Sequence, residues 1–174
     1  MKILVTAASR HGSTQMIGDC IREELEASRC RAVLIDPDMV VDLSEFDAVV
    51  LGSAVYKGRW LKSARKLAQR LEGQLRGKPV WLFSSGPIGD PATLTTASAD
   101  ALALMQRIGA REHRVFAGRL ARELLGIGER FSLRGAGAPS GDYRSWLEVG
   151  RWARSIAASV HEQEPVAGPE THAA

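Results

Sequence analysis

Ser9, Arg10, His11, Gly12, Ser13 and Thr14 place hydroxyls, a guanidinium, an imidazole and a glycine in one short run. The run follows an apolar β-rich segment, "KILVTA" from Lys2 to Ala7, and precedes a helical pattern that begins at Ser13. A helix start presents unpaired N–H groups and the positive end of its dipole, and together these hold an anion such as phosphate. Ser13 and Thr14 would add hydroxyl donors, Gly12 would let the backbone come close, and Arg10 would add charge. The plainer use of Ser13 is to cap the helix.

Two more runs have the composition of ligand loops. "SAVYKGRW" (Ser53 to Trp60) offers Tyr56 and Trp60 as aromatics, Gly58 as a pivot, and Lys57 and Arg59 as cations. "SSGPIGDP" (Ser84 to Pro91) offers exposed N–H groups, with two prolines fixing its shape. A planar, partly apolar ring suits such walls: aromatics stack on it and backbone groups bond to its edge. Trp60 reads equally well as the first core residue of the next helix, and Tyr56 as a surface aromatic.

The elements that must position these runs alternate. Apolar β-rich segments recur at Lys2 to Ala7, Arg31 to Asp36, Asp47 to Ser53, Pro79 to Ser85 and Glu112 to Gly118. Unbroken triplets such as Val49-Val50-Leu51 mark strands covered on both faces, as in parallel sheets. Helical patterns lie between them. Ser13 to Ser28 aligns Met16, Ile17, Cys20, Ile21 and Leu25, and Trp60 to Leu75 aligns Leu61, Ala64, Leu67, Ala68, Leu71 and Leu75. Thr93 to Ile108 ends at Gly109, and Arg144 to Val160 aligns Trp146, Val149, Ala153, Ile156 and Val160. The last helix is capped by Asp142, or by Ser145 with Glu148 in a capping box. Between Asp36 and Asp47 there is room for a turn or a short helix. The expected fold is α/β, a doubly wound five-stranded parallel sheet of order 2-1-3-4-5. In that order the switch point is fed by the loops after strands 1, 3 and 4, which are the three runs above.

Other sites of this fold class fail on residues. There is no GxxxxGK[ST] phosphate loop and no GxGxxG after strand 1. A receiver domain needs acids where Thr6-Ala7-Ala8 and Gly52-Ser53-Ala54 stand, and a low-molecular-weight phosphatase needs a cysteine in the first loop. The remaining reading is a loop of hydroxyls and backbone suited to a mononucleotide. No acid–base pair is evident: His11 lies in the first loop, His113 in strand 5, and His161 and His172 near the end of the chain. No spacing suggests a metal site, and the catalytic residues stay unassigned.

The bulk numbers agree. A chain of 174 residues suits one domain, here 1–162, followed by a Pro-, Ala- and Glu-rich tail, 163–174, expected to be disordered. The formal charge of +3 and pI of about 9.1 are too small to argue nucleic acid, but favour an anionic cofactor, an acidic substrate or a membrane surface. The two cysteines, Cys20 and Cys30, make no disulfide scaffold and no CxxC. Cys20 reads as a packed core thiol, and a reducing cytoplasm fits. No stretch approaches the ~20 apolar residues of a spanning helix. The expected location is cytoplasmic, with peripheral membrane contact left open.

The three runs resemble the loops of flavodoxin-fold proteins that bind FMN. "SRHGST" is similar to their hydroxyl-rich phosphate loop, of the S/T-x-T-G-x-T type, with His11 where that pattern has threonine. The central block, "DAVVLGSAVYKGRWLKSARKLAQRLEGQLRGKPVWLFSSGPIGDP", and the C-terminal "HRVFAGRL…GDYRSWLEVGRWARSIA" resemble the menaquinone-dependent protoporphyrinogen oxidase branch. The resemblance covers about residues 1 to 160. It implies that Ser9, Arg10, His11, Gly12, Ser13 and Thr14 hold the FMN phosphate. It also implies that Ala54, Val55, Tyr56, Lys57 and Gly58 meet the flavin ring on one side, and Ser85, Gly86, Pro87, Ile88 and Gly89 on another. The oxidase carries a longer and more basic insertion before the last helix than Ala121 to Gly141 here, which holds Arg122, Arg130 and Arg134.

Three functions follow from that resemblance. The first is an FMN-dependent oxidoreductase, oxidase-like, passing electrons from a small-molecule substrate to a quinone, with Lys57, Arg59 and Arg119 meeting substrate carboxylates. The second is an electron carrier that docks on a redox partner protein. The third is a flavin-free interaction module.

Overall fold

The structure, a computed structural model, describes residues 1–56, 58–86, 98–120 and 141–163. Five parallel strands form its sheet: β1 (Lys2–Ala8), β2 (Arg31–Leu34), β3 (Ala48–Tyr56), β5 (Val80–Ser85) and β6 (Glu112–Phe116). Their order is β2-β1-β3-β5-β6, and a short β4 (Arg59–Trp60) pairs antiparallel with β3. With β4 set aside, this is the expected 2-1-3-4-5 winding.

The period-2 alternation of the strands builds two cores. Ile3, Val5 and Ala7 of β1 face a cluster completed by α1 (Ser13–Ala27) and α5 (Trp146–His161). Leu4 and Ala8 face the opposite cluster, completed by α2 (Lys62–Arg70), α3 (Glu72–Arg76) and α4 (Ala99–Ile108). The register brings Ala8 beside Ser53, Ala54 beside Ser85, and Ser85 beside Phe116. Four strands therefore end at one level, and the loops of interest leave from that edge. A second, two-stranded sheet of β7 (Arg119–Leu120) and β8 (Gly141–Asp142) stands beside it.

Several boundaries differ from expectation. β3 does not stop at Ser53 but runs to Tyr56, so Ala54, Val55 and Tyr56 are strand residues. Pairing with β5 ends at Ala54, and β4 takes over, with Val55 beside Trp60 and Tyr56 beside Arg59. Gly58, at φ 76, makes that reversal possible without strain. The expected helix from Trp60 to Leu75 is two helices, because Leu71 leaves helical geometry at φ −107, ψ 18. The described part of the helix expected from Thr93 begins at Ala99, where the Ser98 hydroxyl accepts from the Ala101 N–H; Thr93 itself lies outside the described residues. Ser145, not Asp142, caps α5, accepting from the Glu148 N–H. Met16 and Trp146, placed on apolar faces by periodicity, are exposed, and Cys20 is half-buried against the core. Residues 36–47 form turns. Lys57, residues 87–97, the segment 121–140 with Arg122, Arg130 and Arg134, and the tail 164–174 lie outside the described residues.

Candidate functional site

The first loop crosses from β1 to α1 through Gly12, which caps the helix at φ 80 with no side-chain hydrogen bond. The Gly12 carbonyl accepts from the Met16 N–H at 3.0 Å, so the helix starts there. Ser13 is not a cap. Its hydroxyl accepts from the Arg119 N–H at 3.2 Å and keeps a proton to donate. Thr14 is buried in the first turn. Among the described residues, none outside its chain neighbours places an atom within 4 Å of where a Gly12 Cβ would stand, so they leave the helix start open there. A side-chain-free helix start with open space before it fits a phosphate.

The first loop shares a wall with the end of β3. The Arg10 guanidinium lies 5.4 Å from the Tyr56 ring centre, and the His11 ring lies 6.4 Å from it. The third run begins beside them: Ser85 pairs with Ala54, and Gly86, at φ 93, donates its N–H to the Phe116 carbonyl at 3.0 Å. A Cβ on Gly86 would sit 3.8 Å from the Val55 carbonyl, and one on Gly118 would sit 3.4 Å from the Gly86 nitrogen, so these backbones run close together. Ser9, Arg10, His11, Gly12, Ser13, Thr14, Ala54, Val55, Tyr56, Gly58, Ser85 and Gly86 thus gather at one edge of the sheet. Lys57, Pro87, Ile88 and Gly89 lie outside the described residues.

Trp60 belongs to the core and not to a ligand wall: it is buried, and its Nε1–H donates to the Ser84 hydroxyl at 2.8 Å. That bond belongs to a network that the spacing did not reveal. The Ser84 hydroxyl also lies 2.9 Å from His113 Nε2, a hydrogen bond whose direction follows the tautomer of the imidazole. Ser53 accepts from the Leu61 N–H at 2.9 Å and donates to the Ala54 carbonyl. Asp100 accepts from the Trp60 N–H at 3.0 Å and pairs with Arg59. Together these bonds fasten the β3–β4 reversal that carries Tyr56. His113 therefore has a partner after all. The sequence signal was faint: Ser84 and His113 share a face of neighbouring strands, which only the register reveals.

Burial holds the His113 pKa below its ordinary value of 6.5. The folded state therefore resists protonation that the unfolded chain accepts. As pH falls below about 6.5, the unfolded chain takes up the proton first, and stability falls until the folded pKa is passed. Urea midpoints should drop between about pH 7 and pH 5, and His113→Gln should flatten part of that slope. An unchanged slope in the variant would remove His113 from the account.

Among the described residues, no three His, Cys, Asp or Glu side chains gather to hold a metal, and no helix is long and apolar enough to cross a membrane.

The winding, the open helix start and the walled sheet edge define a mononucleotide-type cofactor domain. The chain matches the family model described as "Flavodoxin domain" over residues 4–141, and it belongs to that family. No curated protein matches it by sequence. Among solved structures, it resembles a flavodoxin from the domain Archaea (18% identity, TM-score 0.63, 92% of this chain and 99% of that one). It also resembles a cysteine-to-serine mutant of flavodoxin from Pseudomonas aeruginosa (15%, TM-score 0.62, 92% and 99%). A third is rubredoxin oxygen:oxidoreductase from Desulfovibrio gigas (14%, TM-score 0.62, 92% of this chain but 36% of that one). The flavodoxin domain is an FMN-binding domain, and the residues gathered here fit that cofactor. None of these likenesses singles out the protoporphyrinogen oxidase branch.

Proposed function

We propose that this protein binds FMN and works as an electron carrier that docks on redox partner proteins. The observation that carries the reading is the open, uncapped start of α1 sharing one wall with Tyr56 at the carboxyl edge of the sheet. Ser9, Arg10, His11, Gly12, Ser13 and Thr14 would hold the phosphate, while Ala54, Val55, Tyr56, Gly58, Ser85 and Gly86 would meet the ring. Bound FMN supplies one- and two-electron redox chemistry. The chain's part is to bind, orient and shield. Ser53, Ser84, Asp100 and His113 are engaged in holding the backbone and Trp60, which suits a carrier better than acid–base chemistry on a substrate.

The test is the visible spectrum of purified protein, with FMN added and free flavin removed by gel filtration. Flavin bands that stay with the protein support the reading; a colourless protein overturns it. Thr14→Ala should weaken FMN binding severalfold, and an unchanged affinity would remove the first loop from the phosphate site. The oxidase reading rests on the resemblance of the central block. If it is correct, the holoprotein alone turns over porphyrinogen with a quinone; a carrier needs a partner protein at each end.

A further inference from the structure

Arg144 lies just before α5, and its side chain is 2% exposed. A guanidinium so deeply buried needs its N–H groups paired. Nε donates to Asp142 Oδ1 at 2.8 Å and Nη2 to Oδ2 at 2.5 Å, which is a two-pronged fork. Nη1 faces the first turn of α1: it lies 3.4 Å from the Ser13 carbonyl and 3.3 Å from Met16 Sδ. The Trp146 ring covers one face, 4.4 Å away. Carboxylate, indole and helix start therefore fix the group on three sides.

The position is electrostatically odd. A helix start is the positive end of the dipole, where a cation is unfavourable. The first turn of α1 carries no acid to offset it. Asp142 is the one carboxylate in the fork, and it already faces two arginines. Arg144 by hydrogen bonding, then Arg119 through space, hold its carboxyl below the usual range. Arg119 also touches the loop itself, through its N–H on Ser13. Among the described residues, Arg119 and Arg144 thus set two cations against the single carboxylate of Asp142 beside this helix start, and a phosphate dianion would offset that excess.

We propose that Arg144, aimed by Asp142, is a positioning residue for the phosphate of FMN: it braces the first turn of α1 and raises the positive potential there without touching the ligand. The inference rests on the FMN reading above. Geometry matters as much as charge, because only a guanidinium can hold the fork and reach Ser13 together.

The test is equilibrium titration of the full chain with FMN and with riboflavin, which lacks the phosphate. Arg144→Gln should weaken FMN by about tenfold, a change of about 1.4 kcal/mol, and leave riboflavin within about twofold. Arg144→Lys keeps the charge but loses the fork, and should fall well short of wild type. Asp142→Asn, at a more exposed position, should weaken FMN severalfold with riboflavin unchanged, and it carries the test if Arg144→Gln does not fold. Equal losses for both ligands would mean general support of the fold and would overturn the proposal. So would unchanged FMN affinity in Arg144→Gln. A wild-type chain that binds neither ligand would overturn the FMN reading itself.

Discussion

Gly52→Ala is expected to cost about 3 kcal/mol or more, the upper end of what overpacking a core does. Gly52 sits in β3 directly beside Phe83 of β5. A Cβ there would lie 2.1 Å from Phe83 Cζ and 2.2 Å and 2.5 Å from its two Cε atoms, so the ring must move. It has nowhere to go. Phe83 is fully buried, with Phe116 at 6.1 Å and Trp152 at 6.2 Å between ring centres. The Trp152 Nε1–H is in turn held by Glu112 at 2.8 Å, which ties the aromatic cluster to β6. Against a total stability of about 5–15 kcal/mol for a domain, this loss is large. Urea unfolding of Gly52→Ala measures it. Phe83→Leu alone leaves a gap, but in the double variant the new methyl should find room, and the combined loss should be smaller than the sum. A single variant within about 1 kcal/mol of wild type, or a strictly additive pair, would refute the packing account.

That glycine also shows where local reading ends. In "DAVVLGS" it is a weak strand residue, and its reason lies on another strand 31 positions away, at Phe83. The strands themselves were legible, because runs such as Val49-Val50-Leu51 can only be buried on both faces, and alternating helices dictate the winding. So was the first loop, because Gly12 stands where a helix must start. What composition could not supply was direction. Met16 and Trp146 sit at apolar helical spacing yet face outward, and both pack on Arg144, a residue that only the folded chain brings to α1. Tyr56 looked like a loop residue because nothing local announces β4, a strand of two residues. His113 looked partnerless because its partner, Ser84, lies on the neighbouring strand.

Trp60→Ala is expected to cost about 3–5 kcal/mol, the usual range for emptying a buried indole site. Trp60 begins α2's approach to the sheet and packs with Ala64, Leu67 and Leu82 in the second core. The substitution should also loosen the β3–β4 reversal, since Trp60 pairs with Val55 across the turn that Gly58 makes. The finer variant is Trp60→Phe. It keeps most of the apolar contact but removes the Nε1–H bond to Ser84, which should cost about 1–2 kcal/mol. Ser84 would then lose its donor, and the tie between β4, which pairs with Tyr56 through Arg59, and β5 would go with it. If that tie holds the wall for the flavin ring, Trp60→Phe should weaken both FMN and riboflavin severalfold. Arg144 variants should weaken FMN alone. The two sets thus separate the ring end of the site from its phosphate end. A Trp60→Phe protein with unchanged stability and unchanged affinity for both flavins would show that the Trp60–Ser84–His113 network serves neither the fold nor the ring.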